Sequence, residues 1–266
     1  MSKVMLKLVI ACFCLPVSVL LLAAVTGLDG DAIDLDKVLN GMSRAHLLGT
    51  DALGRDLLAR LAEGLQLSLL VGLLVVVLGA VVGISLGVLA GWFGGWLDIV
   101  LMRMADIVLS FPGILLAIAL AAMLGPGVDN LVMALVVVGW VGFARLSRTQ
   151  VLSLKSAPFV EAAIANGTPV SYIALHHLMP NIAPPLLIEA SFGLAAVIIG
   201  EAGLSFLGVG VQSPNASLGT MIREGSQLML VAPTLVLWPG VILFVLVMAV
   251  NLLGDALRDK LDVRME

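Results

Sequence analysis

The sequence predicts an all-α integral membrane protein with six transmembrane helices, and three observations support this fold class. First, 61% of the 266 residues are hydrophobic and 12% are charged, whereas a soluble domain has roughly 45–50% apolar and about 25% charged residues. Second, the mean hydropathy is +1.14. Third, apolar runs such as residues 69–78 are continuous, which indicates helices because membrane barrels have short alternating strands. The expected surroundings are membrane lipid, and the small net charge of −4 predicts no nucleic-acid partner.

The apolar runs divide the chain into four parts. Residues 1–28 form a predicted N-terminal transmembrane helix, whose apolar stretch begins at about residue 8, and residues 29–64 form a polar loop. Residues 65–254 form a predicted core of five membrane helices, interrupted by a polar segment at 145–184. Residues 255–266 form a predicted short helix in a polar tail. Six spans place both termini on the same side of the membrane.

The five core spans follow from runs near the roughly 20 residues that cross a bilayer. They are predicted at about 65–91, 107–124, 128–146, 182–204 and 235–253. Phe111-Pro112-Gly113 interrupts the second of these runs early. Just before it, Arg103 lies three residues from Asp106 and so shares a helix face with it. We interpret these charges, together with Asp98, as the start of an interfacial helix, in which they are either paired or snorkelling and do not form a proton relay.

Small residues and carboxylates inside the predicted spans leave alternatives open. Gly79, Gly83, Gly87 and Gly91 recur at intervals of four residues, a spacing that lets another helix approach closely. This face can pack inside one subunit or between two subunits. Glu189 and Glu201 lie in or at the edge of the span at 182–204. Carboxylates at such depth are often functional, but we favour structural roles for both.

The polar segment at 145–184 carries its own helix signals. Pro158 fits a first helical turn, and Glu161 follows where a negative charge is favoured. Gly167 can take the left-handed conformation that ends a helix. Thr168-Pro169 can then cap and start a second short helix, which Pro180 is expected to end. The segment therefore predicts two short helices, joined by a tight turn, outside the membrane.

The distribution of Lys and Arg predicts the orientation. Nine of them lie on the side of the polar segment and the two termini, and five lie on the opposite side. Because cytoplasmic loops carry an excess of Lys and Arg, we expect the polar segment, the tail and both termini in the cytoplasm. The loop at 29–64 is then periplasmic.

The loop at 29–64 contains the sequence HLLGTDALGRD at residues 46–56. Its glycines suit turns, and Thr50 or Asp51 can cap a following turn. The candidate functional residues of this motif are His46, Gly49, Thr50, Asp51, Gly54, Arg55 and Asp56. A catalytic role for a His–Asp pair is not supported, because no nucleophile motif lies nearby.

Two motifs resemble those of a known family. HLLGTDALGRD resembles the signature of the C-type permease subunits of the ABC importers for dipeptides, oligopeptides and nickel. Glu161-Ala162-Ala163, Gly167 and Leu178-Met179-Pro180 resemble the EAA loop of such membrane subunits. Residues 106–112 and 204–210 and the tail at 254–262 are also similar to the family. The resemblance extends over nearly the whole chain from His46 onward.

The resemblance implies the type I ABC importer permease fold with a cytoplasmic two-helix coupling loop. Glu161, Ala162, Ala163, Gly167 and Pro180 would then couple the permease to ATP hydrolysis. The implied partners are a homologous second permease subunit in a heterodimer, two cytoplasmic ATP-binding subunits and a periplasmic solute-binding protein. The implied location is the bacterial inner membrane, as a multi-pass protein.

The implied function is ATP-driven import of dipeptides or oligopeptides by alternating access, with nickel or metal-chelate import as the alternative within the family. The sequence contains no GxxxxGK[ST] phosphate loop, so we expect ATP hydrolysis in the partners and not in this chain. We also expect no enzyme activity in this chain and no cofactor or metal site. The alternative of another class is a secondary carrier or channel. Such a protein often places ion-coupling carboxylates at the midplane and shows inverted repeats.

Overall fold

The structure is a computed structural model that describes residues 3–27 and 29–262, with side chains described for residues 12–25, 27 and 29–261. A short 3₁₀ turn, Leu35–Lys37, lies in the first loop. The helices of the described chain are α1 (Lys3–Thr26), α2 (Leu57–Phe93), α3 (Gly95–Leu109), α4 (Gly113–Leu124), α5 (Val128–Leu154), α6 (Pro158–Ala165), α7 (Val170–Phe206), α8 (Leu218–Ser226) and α9 (Thr234–Asp262).

Four helices of the described chain, α2, α5, α7 and α9, are long and apolar enough to cross a membrane. Helices α3 and α4 bend by 87° at the break between them and make a fifth span only when counted together. The all-α membrane fold is therefore confirmed, and four of the five predicted core spans fall within these long helices. The predicted first span falls on α1, where Leu28 and the side chains before Cys12 lie outside the described residues, so the count of six stays a prediction.

The span predicted at 107–124 is not one helix. Helix α3 ends at Leu109 and α4 begins at Gly113, with Pro112 immediately before it. Pro112 has no N–H to donate and restricts the residue before it to extended conformations. The chain therefore turns sharply at the point where the sequence showed an interruption.

Helix α7 passes through Pro180, so the prediction that this proline ends a short helix is wrong. Just before it, Ile173–Leu178 form a π turn, and the N–H of Met179 bonds to the carbonyl of Ala174, five residues back. A π turn skips one carbonyl acceptor, and Pro180 follows where it could not have donated a hydrogen bond. The two-helix segment is thus continuous with a membrane helix instead of separate from it.

Two other elements also extend further than predicted. Helix α5 continues to Leu154, so the first quarter of the polar segment belongs to a membrane helix. Helix α9 continues without a break to Asp262, so the tail is the end of the last span and not a separate helix. Residues 263–266 of the predicted tail lie outside the described residues.

The glycine face of α2 packs against α5 of the same chain. A Cβ atom on Gly91 would lie 2.9 Å from the carbonyl oxygen of Arg148. On Gly87 it would overlap the hydroxyl of Ser147 and the carbonyl of Ala144. The small residues therefore serve close helix packing inside one subunit, which answers the question that the sequence left open.

Candidate functional site

The first candidate site is the helix–turn–helix segment at residues 158–172, which lies between the ends of α5 and α7. Pro158 occupies the first turn of α6, as predicted. The helix ends in a Schellman motif, in which the N–H groups of Thr168 and Gly167 bond to the carbonyls of Ala163 and Ile164 at 3.0 and 2.9 Å. Gly167 has a φ of +71°, so the predicted left-handed turn is present.

The five residues predicted to couple the permease to its partner differ in exposure. Glu161, Ala162, Gly167 and Pro180 are exposed. Ala163 is buried and belongs to a hydrophobic cluster of the chain itself. Ala163 therefore anchors α6 to the membrane helices, and Glu161 and Ala162 form the part of the EAA sequence that a partner can reach.

An exposed aromatic cluster is formed by two residues of this segment and two that follow it, and it was not predicted from the sequence. The rings of Tyr172 and His176 stack with centroids 4.1 Å apart, and Phe159 lies 6.4 Å from His177. Phe159 and Tyr172 are 42% and 50% exposed. The spacing of Tyr172 and His176, four residues apart on one helix, is the signal that could have revealed it. Exposed aromatic side chains of this kind are typical of protein interfaces.

Charged contacts tie the C-terminal end of α5, which precedes the 158–172 segment, to α2 and α3. The ammonium group of Lys155 lies 5.6 Å from the ring centroid of Trp92, at the end of α2. The guanidinium of Arg148 forms a two-pronged ion pair with Asp98 of α3. One turn earlier, Arg145 bonds to Asp106 at 2.6 Å. The sequence predicted that the charges on α3 are either paired or snorkelling, but it did not predict these partners on α5.

The second candidate site is the HLLGTDALGRD motif, which folds into a compact loop. One carboxylate oxygen of Asp51 accepts hydrogen bonds from the backbone N–H groups of Leu53 and Arg55 at 2.8 and 3.0 Å. The other accepts from Nε of Arg55 at 2.7 Å. The carboxylate of Asp56 bonds to Nδ1 of His46 at 2.9 Å and caps α2. The His–Asp pair therefore holds the loop on the helix.

The remaining motif residues shape the backbone of the same loop. Gly49 and Gly54 have φ angles of +87° and +73°, and a Cβ atom on Gly54 would overlap the carbonyl of Asp34. The hydroxyl of Thr50 donates to the carbonyl of Lys37 and accepts from the N–H of Asn40. All seven predicted motif residues thus lie in one loop. Three of them also reach neighbouring helices, because Asp56 caps α2, Asp51 lies 3.6 Å from Arg60 of α2, and Arg55 lies 3.5 Å from Glu224 of α8.

Arg55 and Arg60 lie beside a cavity of about 320 Å³ between the motif, α8 and the start of α9. Glu224 of α8 lies 3.5 Å from Arg55 and 3.7 Å from Arg60. The side chain of Arg60 is 1% exposed, and its two terminal nitrogens have no hydrogen-bond partner among the described residues. Arg60 and Glu224 were not predicted, because their contact depends on two segments far apart in sequence.

Comparison with known proteins identifies relatives that are membrane components of transport systems. The family described as "Binding-protein-dependent transport system inner membrane component" matches residues 83–266. The dipeptide transport system permease protein DppC of Alkalihalophilus pseudofirmus is 41% identical over 228 residues, which are 86% of this chain and 75% of that protein. The glutathione transport system permease protein GsiD of Salmonella typhimurium is 42% identical over 233 residues, which are 88% and 77% of the two chains.

The fold is also similar to a solved structure. A chain of the MetNI methionine ABC transporter, solved in inward-facing conformations, superposes with a TM-score of 0.61 and 21% identity. The similarity covers 76% of this chain and 95% of that chain. It confirms the predicted type I ABC importer permease fold. The chain therefore belongs to the family of inner membrane components of binding-protein-dependent transport systems.

Proposed function

We propose that the chain is the permease subunit of an ATP-driven importer of dipeptides or short oligopeptides. The relatives named for dipeptide and glutathione transport are 41–42% identical over most of the chain, and this favours peptides over nickel or metal chelates. Family membership in binding-protein-dependent systems likewise favours an ATP-driven importer over a secondary carrier or channel. The chain would work with a homologous second permease, two ATP-binding subunits and a solute-binding protein.

The observation that carries this proposal is the exposed 158–172 segment. It presents Glu161 and Ala162 together with exposed apolar and aromatic side chains at the end of two membrane helices. The Schellman turn and the buried Ala163 fix its shape, and α7 continues from it without a break. A movement of an ATP-binding partner against this surface would therefore be transmitted as a rigid-body movement of α5 and α7.

The motif at 46–56 and helix α8 lie at the opposite ends of the membrane helices, and we infer that this end faces the periplasm. The excess of Lys and Arg on the side of the 158–172 segment supports this orientation, with both termini in the cytoplasm of a bacterial inner membrane. The folded loop and the cavity beside Arg55 then form the surface nearest to a solute-binding protein. Binding there would bias nucleotide closure on the other side, because coupling between two sites is reciprocal.

The test is uptake by cells in which this permease is deleted and then restored, with labelled dipeptide and nickel ion compared in parallel. Loss of dipeptide uptake alone, with recovery on restoration, is the expected result. Loss of nickel uptake alone would instead assign nickel as the transported solute. Unchanged uptake of both would contradict the proposed cargo class.

A further inference from the structure

A second cavity, of about 380 Å³, lies between α2, α4, α5 and α7. Its walls are apolar except at one residue, Glu189 of α7. Glycines from three helices, including Gly113, Gly139 and Gly193, keep the walls free of side chains. The cavity follows α7 from Glu189 to Gly200, a length of about 16 Å at 1.5 Å per residue. It therefore extends along the membrane helices and lies apart from both sites described above.

The two glutamates of α7 have opposite surroundings. Glu201 is fully buried, and its two oxygens accept hydrogen bonds from the hydroxyls of Ser68 at 2.7 Å and Ser205 at 2.8 Å. Glu189 is half-buried at the cavity wall, against Gly142 of α5. It forms no hydrogen bond or ion pair with any residue that the structure describes. The structural role predicted for both glutamates therefore fits Glu201 and leaves Glu189 unexplained.

No cation of the described chain is available to Glu189. The nearest basic residue along α5 from Gly142 is Arg145, which is paired with Asp106, and the next is Arg148, which is paired with Asp98. An unpaired carboxylate inside a membrane helix is costly, so its position at a cavity wall favours a partner that comes from outside the chain. Charge complementarity favours a cation as this partner.

We propose that Glu189 binds the ammonium group of the transported solute as the solute crosses the membrane. This inference rests on the proposed function, because a peptide with a free amino terminus carries such a group. The cavity falls within the roughly 300–1,000 Å³ typical of small-molecule sites. Its apolar walls offer no further charge, so the contact holds the solute loosely. A single weak contact suits a pathway, in which binding must permit entry and also release.

The experiment uses the complete transporter in proteoliposomes, with saturating binding protein and a dipeptide that has uncharged side chains. Uptake and ATP hydrolysis are measured together for the wild type, Glu189→Gln and Glu189→Asp. We expect Glu189→Gln to reduce uptake about tenfold and to change ATP hydrolysis stimulated by the binding protein by less than twofold. Glu189→Asp keeps the charge and is expected to retain at least a third of the uptake.

A control on the same helix is Ser191→Ala. Ser191 bonds to the carbonyl of Ile188 and faces Gly254 of α9, away from the cavity, so its uptake should be unchanged. Normal uptake by Glu189→Gln would overturn the proposal. So would a parallel loss of uptake, ATP hydrolysis and co-purified second permease, because Glu189 would then pair with a cation of that subunit. Failure of the wild type to take up any dipeptide would instead refute the proposed function.

Discussion

Gly167 provides a direct test of the coupling role of the 158–172 segment. Its φ is +71°, but a Cβ atom there would meet no other atom within 4 Å. Within the chain itself, a substitution therefore acts only through the backbone conformation of the turn. Placing an ordinary residue in the left-handed region costs roughly 1–2 kcal/mol, which corresponds to roughly a 5–30-fold loss in the population of the native turn.

Three variants of Gly167 separate conformation from charge. We expect Gly167→Val to reduce uptake by the reconstituted transporter at least fivefold, because β-branched residues disfavour this conformation most. Gly167→Asn should retain at least half of the uptake, because Asn tolerates the left-handed region. In Gly167→Asp, the new side chain has nearly the same shape as that of Asn but adds a negative charge at the proposed interface, where an unpaired charge is costly. We expect it to abolish transport while the protein remains in the membrane.

The controls for this series are the amount of each variant in the membrane fraction and its association with the second permease. Both should match the wild type, because the turn is exposed and the hydrophobic cluster beneath it is unchanged. Normal uptake by Gly167→Val would refute the argument from turn geometry. Equal uptake by Gly167→Asn and Gly167→Asp would refute the placement of this turn at a protein interface.

Three further predictions concern stability, measured as the thermal midpoint of the purified protein in detergent. Gly87→Val should lower the midpoint by several degrees, because overpacking costs about 1–3 kcal/mol, whereas Gly203→Ala should have no effect because a Cβ atom there meets nothing within 4 Å. Arg148→Ala should lower the free energy of unfolding by about 1 kcal/mol, and a variant in which Asp98 and Arg148 are exchanged should regain part of this stability. If the exchanged variant regains none, a specific ion pair between the two residues is excluded. Asp56→Ala should lower the free energy of unfolding by about 1 kcal/mol, because the helix cap is lost, and Asp56→Asn should lower it much less. Equal losses of stability in the two variants would exclude a capping role.

Local signals in the sequence predicted much of the fold. The positions of the core spans follow from apolar runs, and the turn at Gly167 follows from a glycine placed after a short helix. The residues at which helices begin and end were less predictable. Pro180 is a helix breaker in most contexts, and only the π turn before it, at Ile173–Leu178, allows α7 to continue. That turn has no simple signature in the sequence.

Contacts between segments that are distant in the sequence could not be predicted from it, because they depend on how the helices are arranged in space. The pairing of Asp98 with Arg148 depends on the direction in which α3 leaves α2 at Gly94, and no local pattern specifies that direction. The glycine face of α2 showed that a helix would pack there but not which helix. Glu189 and Glu201 have the same residue type and lie in the same helix. Only the neighbouring helices distinguish a carboxylate bonded to serines from one that faces a cavity.

The central claim is that the 158–172 segment contacts the ATP-hydrolysing partner. The most direct measurement is site-specific cross-linking in the complete transporter, with Cys12 and Cys14 replaced by serine and a single cysteine introduced at an exposed position. We predict that Ala162→Cys cross-links to the ATP-binding subunit in a nucleotide-dependent manner, and that Leu230→Cys, at the opposite end of the helices and fully exposed, cross-links to the solute-binding protein. A cross-link from Ala162→Cys to the solute-binding protein, or none to the ATP-binding subunit, would contradict the account.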